Sequence, residues 1–192
     1  MSENKISRYP VPDIEDLPED IREKFLEVQE RAGFLPNVFS VLAHRPDEFR
    51  AFFAYHDALM EKESGLSKAE MEMIVVATSS DNECQYCVVA HGAVLRLRAK
   101  NAQISDQVAI NYRKADITSR QKAMLDFAMK VSLDAKSISE EDFETLHEHG
   151  FDDEDIWDIA GITSFFALSN RMASFTSMCP NDEFYTLGRK LD

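Results

Sequence analysis

Eleven residues constrain this chain more than any other stretch: Asn82-Glu83-Cys84-Gln85-Tyr86-Cys87-Val88-Val89-Ala90-His91-Gly92. Two of the three cysteines lie in it, spaced C-x-x-C, and a histidine follows four residues after the second. Val88, Val94 and Leu95 continue at helical spacing. If Cys84 opens a helix, steps of about 100° per residue place Cys84, Cys87 and His91 on one face. Residues three apart on that face have Cβ atoms about 5–6 Å apart. A disulfide asks for Cα atoms within about 7 Å, so Cys84 and Cys87 can bridge with little backbone movement. The His91 ring sits one turn beyond, within reach of Cys87.

That arrangement has a specific chemistry. The thiolate is the nucleophile, and an ordinary cysteine is mostly protonated at neutral pH. A helix N-terminus offers unpaired N–H groups and partial positive charge, which favour the thiolate. A nearby imidazole takes the proton. A second thiol one turn away traps an oxidised first thiol as a disulfide. The pair reads as a redox dithiol in which one cysteine reacts and the other resolves. Zinc is the rival reading, because two thiolates and an imidazole are good ligands, with Glu72, Glu83 or water as a fourth. Structural zinc sites usually draw ligands from two pieces of chain, and no second Cys/His cluster exists here.

Composition narrows the setting. A chain of 192 residues with 44% hydrophobic content is one ordinary globular domain or a tight pair of halves. A net charge of −14 disfavours nucleic acid and anionic membranes as partners. An odd count of 3 cysteines is not a disulfide-stapled secreted scaffold. Met1-Ser2-Glu3-Asn4-Lys5 lacks the apolar core of a signal peptide. No apolar run approaches the roughly 20 residues that span a bilayer. The expectation is a cytoplasmic protein, where a C-x-x-C pair is catalytic or metal-binding.

Along the chain the periodicity is helical throughout. Ser7 to Pro18 holds three prolines and reads as an extended arm over the surface or a neighbouring subunit. Glu19 to Ala32 is an amphipathic helix stopped by Gly33. Pro36 to Leu42 is a shorter piece, and Pro46 opens a helix to about Lys62. Ser67-Lys68-Ala69-Glu70 is a capping box that starts the helix before the cysteines. The cysteine helix ends near Arg98 to Asn101, and a short helix spans Ser105 to Tyr112. Thr118-Ser119-Arg120-Gln121 caps another, Ser139-Glu140-Glu141-Asp142 a further one that stops at Gly150, and Asp152 to Met178 is long and apolar. No strand-like alternation exceeds a few residues, so the class is all-α. Because a helix precedes the C-x-x-C, the βαβ setting of thioredoxin-type motifs does not apply.

The spacing C-x-Y-C-x-x-x-H resembles the alkylhydroperoxidase (AhpD-like) branch of the carboxymuconolactone decarboxylase family. Glu72, twelve residues before Cys84, stands where that family places a relay glutamate. Gly33-Phe34-Leu35-Pro36-Asn37-Val38-Phe39, Arg45-Pro46 and Asn170-Arg171 resemble its peroxidase-related members. The resemblance implies a single-domain helical bundle of about eight helices over 19–192, after an arm over 1–18. It implies a cysteine-based alkyl hydroperoxide reductase with no bound organic cofactor or metal. Cys87 is then the peroxide-attacking cysteine and Cys84 the resolving one, with Glu72 and His91 as the proton relay. Tyr86 stands where other members carry a histidine, although a regular helix turns it away from the Cys87 face. An external dithiol, a lipoyl protein or thioredoxin, resets the disulfide, and the assembly is a trimer or hexamer. A thiol-disulfide oxidoreductase, a redox sensor or a zinc-stabilised interaction protein are the alternatives.

Other residues have plainer readings. Glu61, Glu70 and Glu72 look like a solvated face, and only the family spacing lifts Glu72 above it. The Glu83 carboxylate beside Cys84 is expected to raise that thiol's pKa. Cys179 reads as a small buried residue, and His44 and His56 as packing or capping. His147 and His149 suit the last turn of a helix. Arg171 calls for a structural ion pair or solvent.

Overall fold

A computed structural model of the chain describes residues 6–190. The polar stretch Met1–Lys5 and the last two residues of the proposed domain lie outside them. Among the described residues there are ten α-helices and no strand. They are α1 (Glu19–Ala32), α2 (Asn37–Leu42), α3 (Pro46–Met60), α4 (Lys68–Asp81) and α5 (Gln85–Ala99). There follow α6 (Ile104–Asn111), α7 (Ser119–Asp134), α8 (Glu140–Glu148), α9 (Asp153–Thr176) and α10 (Asp182–Thr186). The all-α reading holds, and the capping boxes at Ser67, Thr118 and Ser139 form as expected.

The bundle is built around α4. Every residue from Glu70 to Ser79 is buried, so this helix has no solvent face. A helix covered all round belongs in the middle of a core. It packs against α5, α6, α7 and α9. Met71, Ile74 and Val75 meet Leu125 of α7 and Ile159, Ile162 and Phe166 of α9 in the largest apolar cluster. A second cluster joins α1, α2 and α3 through Phe25, Phe39, Phe49 and Phe53. Phe39 and Phe53 stack with centroids 4.2 Å apart. The third cluster surrounds Cys84 and Cys87.

Central burial corrects the solvated-face reading of the glutamates. Glu70 and Glu72 are 6% and 7% exposed, whereas Glu61 is on the surface. Glu70 closes its capping box and pairs with Arg120, whose guanidinium lies 3.8 Å from the Phe151 ring centroid. The arm is held by its own chain. The Arg8 amide donates to the Thr176 carbonyl at 2.7 Å, and the Cys179 amide to the Ile6 carbonyl at 3.0 Å. A 3₁₀ turn at Ile14–Asp16 interrupts its extended course.

Helix α10 has no counterpart in the sequence reading, being too short for periodicity to show. Buried Arg96 of α5 holds this segment, donating to the Phe184 and Leu187 carbonyls at 2.8 and 2.9 Å and to Ser105 at 3.0 Å.

The α4–α5 corner brings the cysteines into place. The Cys84 amide donates to the Ser79 carbonyl at 2.9 Å and the Glu83 amide to the Ser80 carbonyl at 3.0 Å. This is the Schellman pattern, which puts its left-handed residue at Glu83, with φ of 52°. Glycine is the favoured residue there, and a side chain costs about 1–2 kcal/mol. Glu83→Gly is therefore expected to stabilise the fold by about 1 kcal/mol, raising Tm by about 2–4 °C in thermal unfolding. A lowered Tm would show that the Glu83 side chain contributes more than its backbone strain costs.

Candidate dithiol site

Cys84 ends the α4 corner and is also the N-cap of α5. Its Sγ accepts from the Cys87 amide at 3.4 Å. The two sulfurs are unbridged and 2.8 Å apart. The structure thus brings together the pair that the spacing predicted. Both are almost fully covered, at 2% and 1% exposed.

One turn on, His91 Nδ1 lies 2.8 Å from Glu72 Oε2. An ionised carboxylate only accepts, so Nδ1 carries the proton and Nε2 of the neutral ring is left as a base. The ring stands edge-on to Phe166, centroids 4.7 Å apart at 82°. Glu72 and His91 therefore meet although 19 residues separate them.

Two polar neighbours from α9 were not among the sequence-predicted site residues. Ser169 Oγ is 4.0 Å from Cys87 Sγ. Asn170 is fixed at both ends of its amide, donating to Ser79 Oγ at 2.8 Å and accepting from Asn82 at 3.0 Å. It also favours both thiolates by hydrogen bonding. Asn170-Arg171 stood out in the sequence only as a resemblance, and nothing local tied it to the cysteines.

Tyr86 differs from the relay expectation. Its hydroxyl oxygen accepts from the Val38 amide at 3.1 Å. Burial pushes its pKa well up, and charge on either cysteine pushes it further. The ring pins the start of α2 to α5 and keeps its proton.

The sulfurs titrate as a pair. The Cys87 thiol, hydrogen-bonded to Cys84, brings the Cys84 pKa down to about 7, against the effect of burial. The Cys87 amide and Asn170 add to this, as does His91 once protonated. Cys87 is driven strongly up, by that same hydrogen bond, by burial and by the Cys84 charge. One proton leaves readily and the second is held between the sulfurs. The charge rests on Cys84, at the helix N-terminus. The expectation that Glu83 raises the Cys84 pKa is thus reversed, the Glu83 side chain being exposed.

Cys87, His91, Tyr86 and Ser169 line a cavity of about 650 Å³ with Phe34, Phe39, Phe53 and Phe184 on its walls. Lys24, Arg31, Arg98 and Asp57 also border it. Cys84 does not line it, so Cys87 is the sulfur that a ligand in this cavity would meet.

The remaining candidates lie elsewhere. Among the described residues no three His, Cys, Asp or Glu side chains are grouped to hold a metal ion. The Glu72 carboxylate offered to zinc faces His91 instead. Cys179, two residues past the left-handed cap at Ser177, is exposed rather than buried. Arg171 reaches solvent, one of its two expected outcomes, and bonds the Ala167 carbonyl of its own helix at 2.6 Å. His44 packs near Tyr9, and His147 and His149 bond Asp153 and the Thr145 carbonyl.

The paired titration has a direct check in a Cys179→Ser background. Thiolate absorbance near 240 nm is expected to rise by one thiol with a midpoint at about 7, falling away as pH drops through that value. Cys87→Ala removes the largest cause and should move the midpoint toward the ordinary value of about 8.5. An unmoved midpoint would separate the Cys84 pKa from the sulfur–sulfur contact.

Known proteins share this architecture. The sequence model of the carboxymuconolactone decarboxylase family matches residues 46–128. None of the curated proteins compared with the chain matches it. The crystal structure of an alkylhydroperoxidase AhpD core, an uncharacterized peroxidase-related protein from Ralstonia eutropha JMP134, is 64% identical. It superposes with a TM-score of 0.98, over 99% of this chain and 100% of that one. A peroxidase-related protein from Silicibacter sp. TM1040 is 42% identical, with a TM-score of 0.92 over 98% and 99% of the two chains. The debrominase Bmp8, at 18% identity and a TM-score of 0.76 over the whole of both chains, shares the fold. Identity of 64% over nearly the full length, with the same bundle, settles the relationship: the chain belongs to the AhpD-like branch of the carboxymuconolactone decarboxylase family.

Proposed function

We propose that the chain is a cysteine-based hydroperoxidase that reduces organic hydroperoxides and hydrogen peroxide. The observation that carries this reading is the Cys84–Cys87 contact at a helix N-terminus, beside a Glu72-held imidazole, with Cys87 alone of the two opening onto a cavity.

The Cys87 proton passes to His91 Nε2, whose imidazolium the Glu72 carboxylate stabilises. The Cys87 thiolate attacks the terminal peroxide oxygen. The O–O bond breaks, leaving a sulfenic acid on Cys87 and an alkoxide that is protonated to the alcohol. Cys84 thiolate then attacks the sulfenic sulfur. Hydroxide leaves, takes the His91 proton and becomes water as the disulfide closes. An external dithiol of lipoyl or thioredoxin type reduces it by exchange. Tyr86 positions α5 rather than moving a proton. Cytoplasmic residence, where a C-x-x-C pair starts reduced, and a trimeric or hexameric assembly, implied by the family resemblance, complete the reading. Among the described residues no helix is long and apolar enough to cross a membrane.

One observation favours a second reading, a thiol-disulfide oxidoreductase or sensor without peroxide turnover: the Cys84 thiol, brought down to about 7, is substantially thiolate near neutral pH, the form that exchanges with a disulfide.

The deciding experiment adds one equivalent of an organic hydroperoxide to reduced, metal-free protein and follows intact mass and thiols. Rapid loss of two thiols, mapped to a Cys84–Cys87 bridge, is the expected result. Thiols that persist, or oxidise no faster than free cysteine, would leave the exchange reading. Cys84→Ser should abolish turnover yet allow one round of Cys87 oxidation. Glu72→Gln should slow that oxidation by about a hundredfold, the scale of lost acid–base assistance. A Glu72→Gln variant reacting at the parent rate would take Glu72 out of the relay.

A further inference from the structure

His56, which the sequence offered only as packing or capping, lines the same cavity as Cys87 and His91. It comes from α3, on a different wall from α5. Its surroundings repeat those of His91. His56 Nδ1 lies 2.9 Å from the Asp57 carboxylate, as His91 Nδ1 lies 2.8 Å from Glu72. Both imidazoles rest on Phe166, at 4.7 Å for His91 and 6.4 Å for His56, in edge-to-face geometry. Phe53 and Phe165 complete the apolar packing of the His56 ring. Its side chain is 24% exposed, so solvent reaches the ring while its packing holds it.

The chemistry of the proposed reaction leaves a role vacant at this place. With Cys84 already a thiolate, the dithiol supplies one proton, which His91 carries to the hydroxide that leaves as the disulfide closes, so the alkoxide needs a second donor. A departing alkoxide is a strong base and needs a donor in the cavity. We propose that His56, held by Asp57, is the general acid that protonates the leaving oxygen. The Asp57 carboxylate is kept ionised by its hydrogen bond to His56 and by Lys24, 3.5 Å away, so it stabilises the imidazolium. The balance is simple. Cys87 thiolate takes the terminal oxygen with its hydrogen, the O–O bond breaks, and the alkoxide takes the Nε2 proton of His56 to become the alcohol. His56 regains a proton from solvent at the cavity mouth.

This inference rests on the hydroperoxidase reading, and the experiment separates the two. Single-turnover oxidation of Cys87 is measured with tert-butyl hydroperoxide, whose leaving group is a strongly basic alkoxide. It is measured again with peracetic acid, whose leaving group is acetate and needs no proton. In His56→Gln, the tert-butyl hydroperoxide rate is expected to fall about a hundredfold, with the peracetic acid rate within about threefold of the parent. Added imidazole should restore the tert-butyl hydroperoxide rate in His56→Ala. If His56→Gln does not fold, Asp57→Asn should show the same selective loss in smaller measure. Equal losses with both oxidants, or no loss, would overturn the role of His56 while leaving the peroxidase reading intact. A parent protein that reacts with neither oxidant would instead sink that reading, and His56 with it.

Discussion

Burial of α4 on every side is the constraint from which the rest follows. A helix in the middle of a bundle cannot leave polar groups to water, so each polar side chain on it needs a protein partner. Glu70 finds its cap and Arg120. Thr78 bonds back to the Ile74 carbonyl, and Ser79 receives the Asn170 amide. Glu72 finds His91, and a hydrogen bond to a charged group of this kind is worth about 1.5–3 kcal/mol. The imidazole of His91, proposed as the base of the dithiol, is therefore oriented by the same requirement that stabilises the core.

The corner after α4 does two jobs with one residue. Cys84 closes the end of α4 through its amide and caps α5 through its sulfur. That double duty fixes the Cys84 sulfur against the first turn of α5, where unpaired amides favour negative charge. Cys87, one turn along, holds the shared proton and faces the cavity. The division between the sulfurs is thus geometric. One is placed to carry charge and the other to meet a ligand. In a chain with a net charge of −14, local hydrogen bonds, from the Cys87 thiol first and then from the Cys87 amide and Asn170, supply this stabilisation.

The cavity also explains why three separate aromatic clusters converge. Phe39 and Phe53 belong to the α1–α3 core, Phe166 to the α4 core, and Phe184 to the cysteine cluster. Each contributes to one apolar enclosure around Cys87. Such apolar walls lower the local dielectric beside Cys87 and strengthen the hydrogen bonds made there. Arg96 holds the α10 wall in place by binding backbone carbonyls on the far side of α5.

Much was legible before any coordinates. Period and caps placed nine of the helices, and C-x-x-C with His91 placed the dithiol on one helical face, because local geometry sets those relations. The twelve-residue step from Glu72 pointed to a relay only through a family pattern; periodicity alone read it as surface, since a fully buried helix shows no polar stripe. What tertiary structure decided were the relations between distant segments. Asn170 and Ser169 reach the thiols from α9, and His56 reaches the cavity from α3. Tyr86 is turned to Val38, and Arg171 to its own helix. The order of the thiol pKa values belongs here too, because it depends on a sulfur–sulfur distance and on burial. Sequence by itself determined the helices and the chemistry of one turn, both local in origin. Which sulfur carries charge, which faces the cavity and which imidazoles surround it came only from packing, where residues far apart in the chain become neighbours.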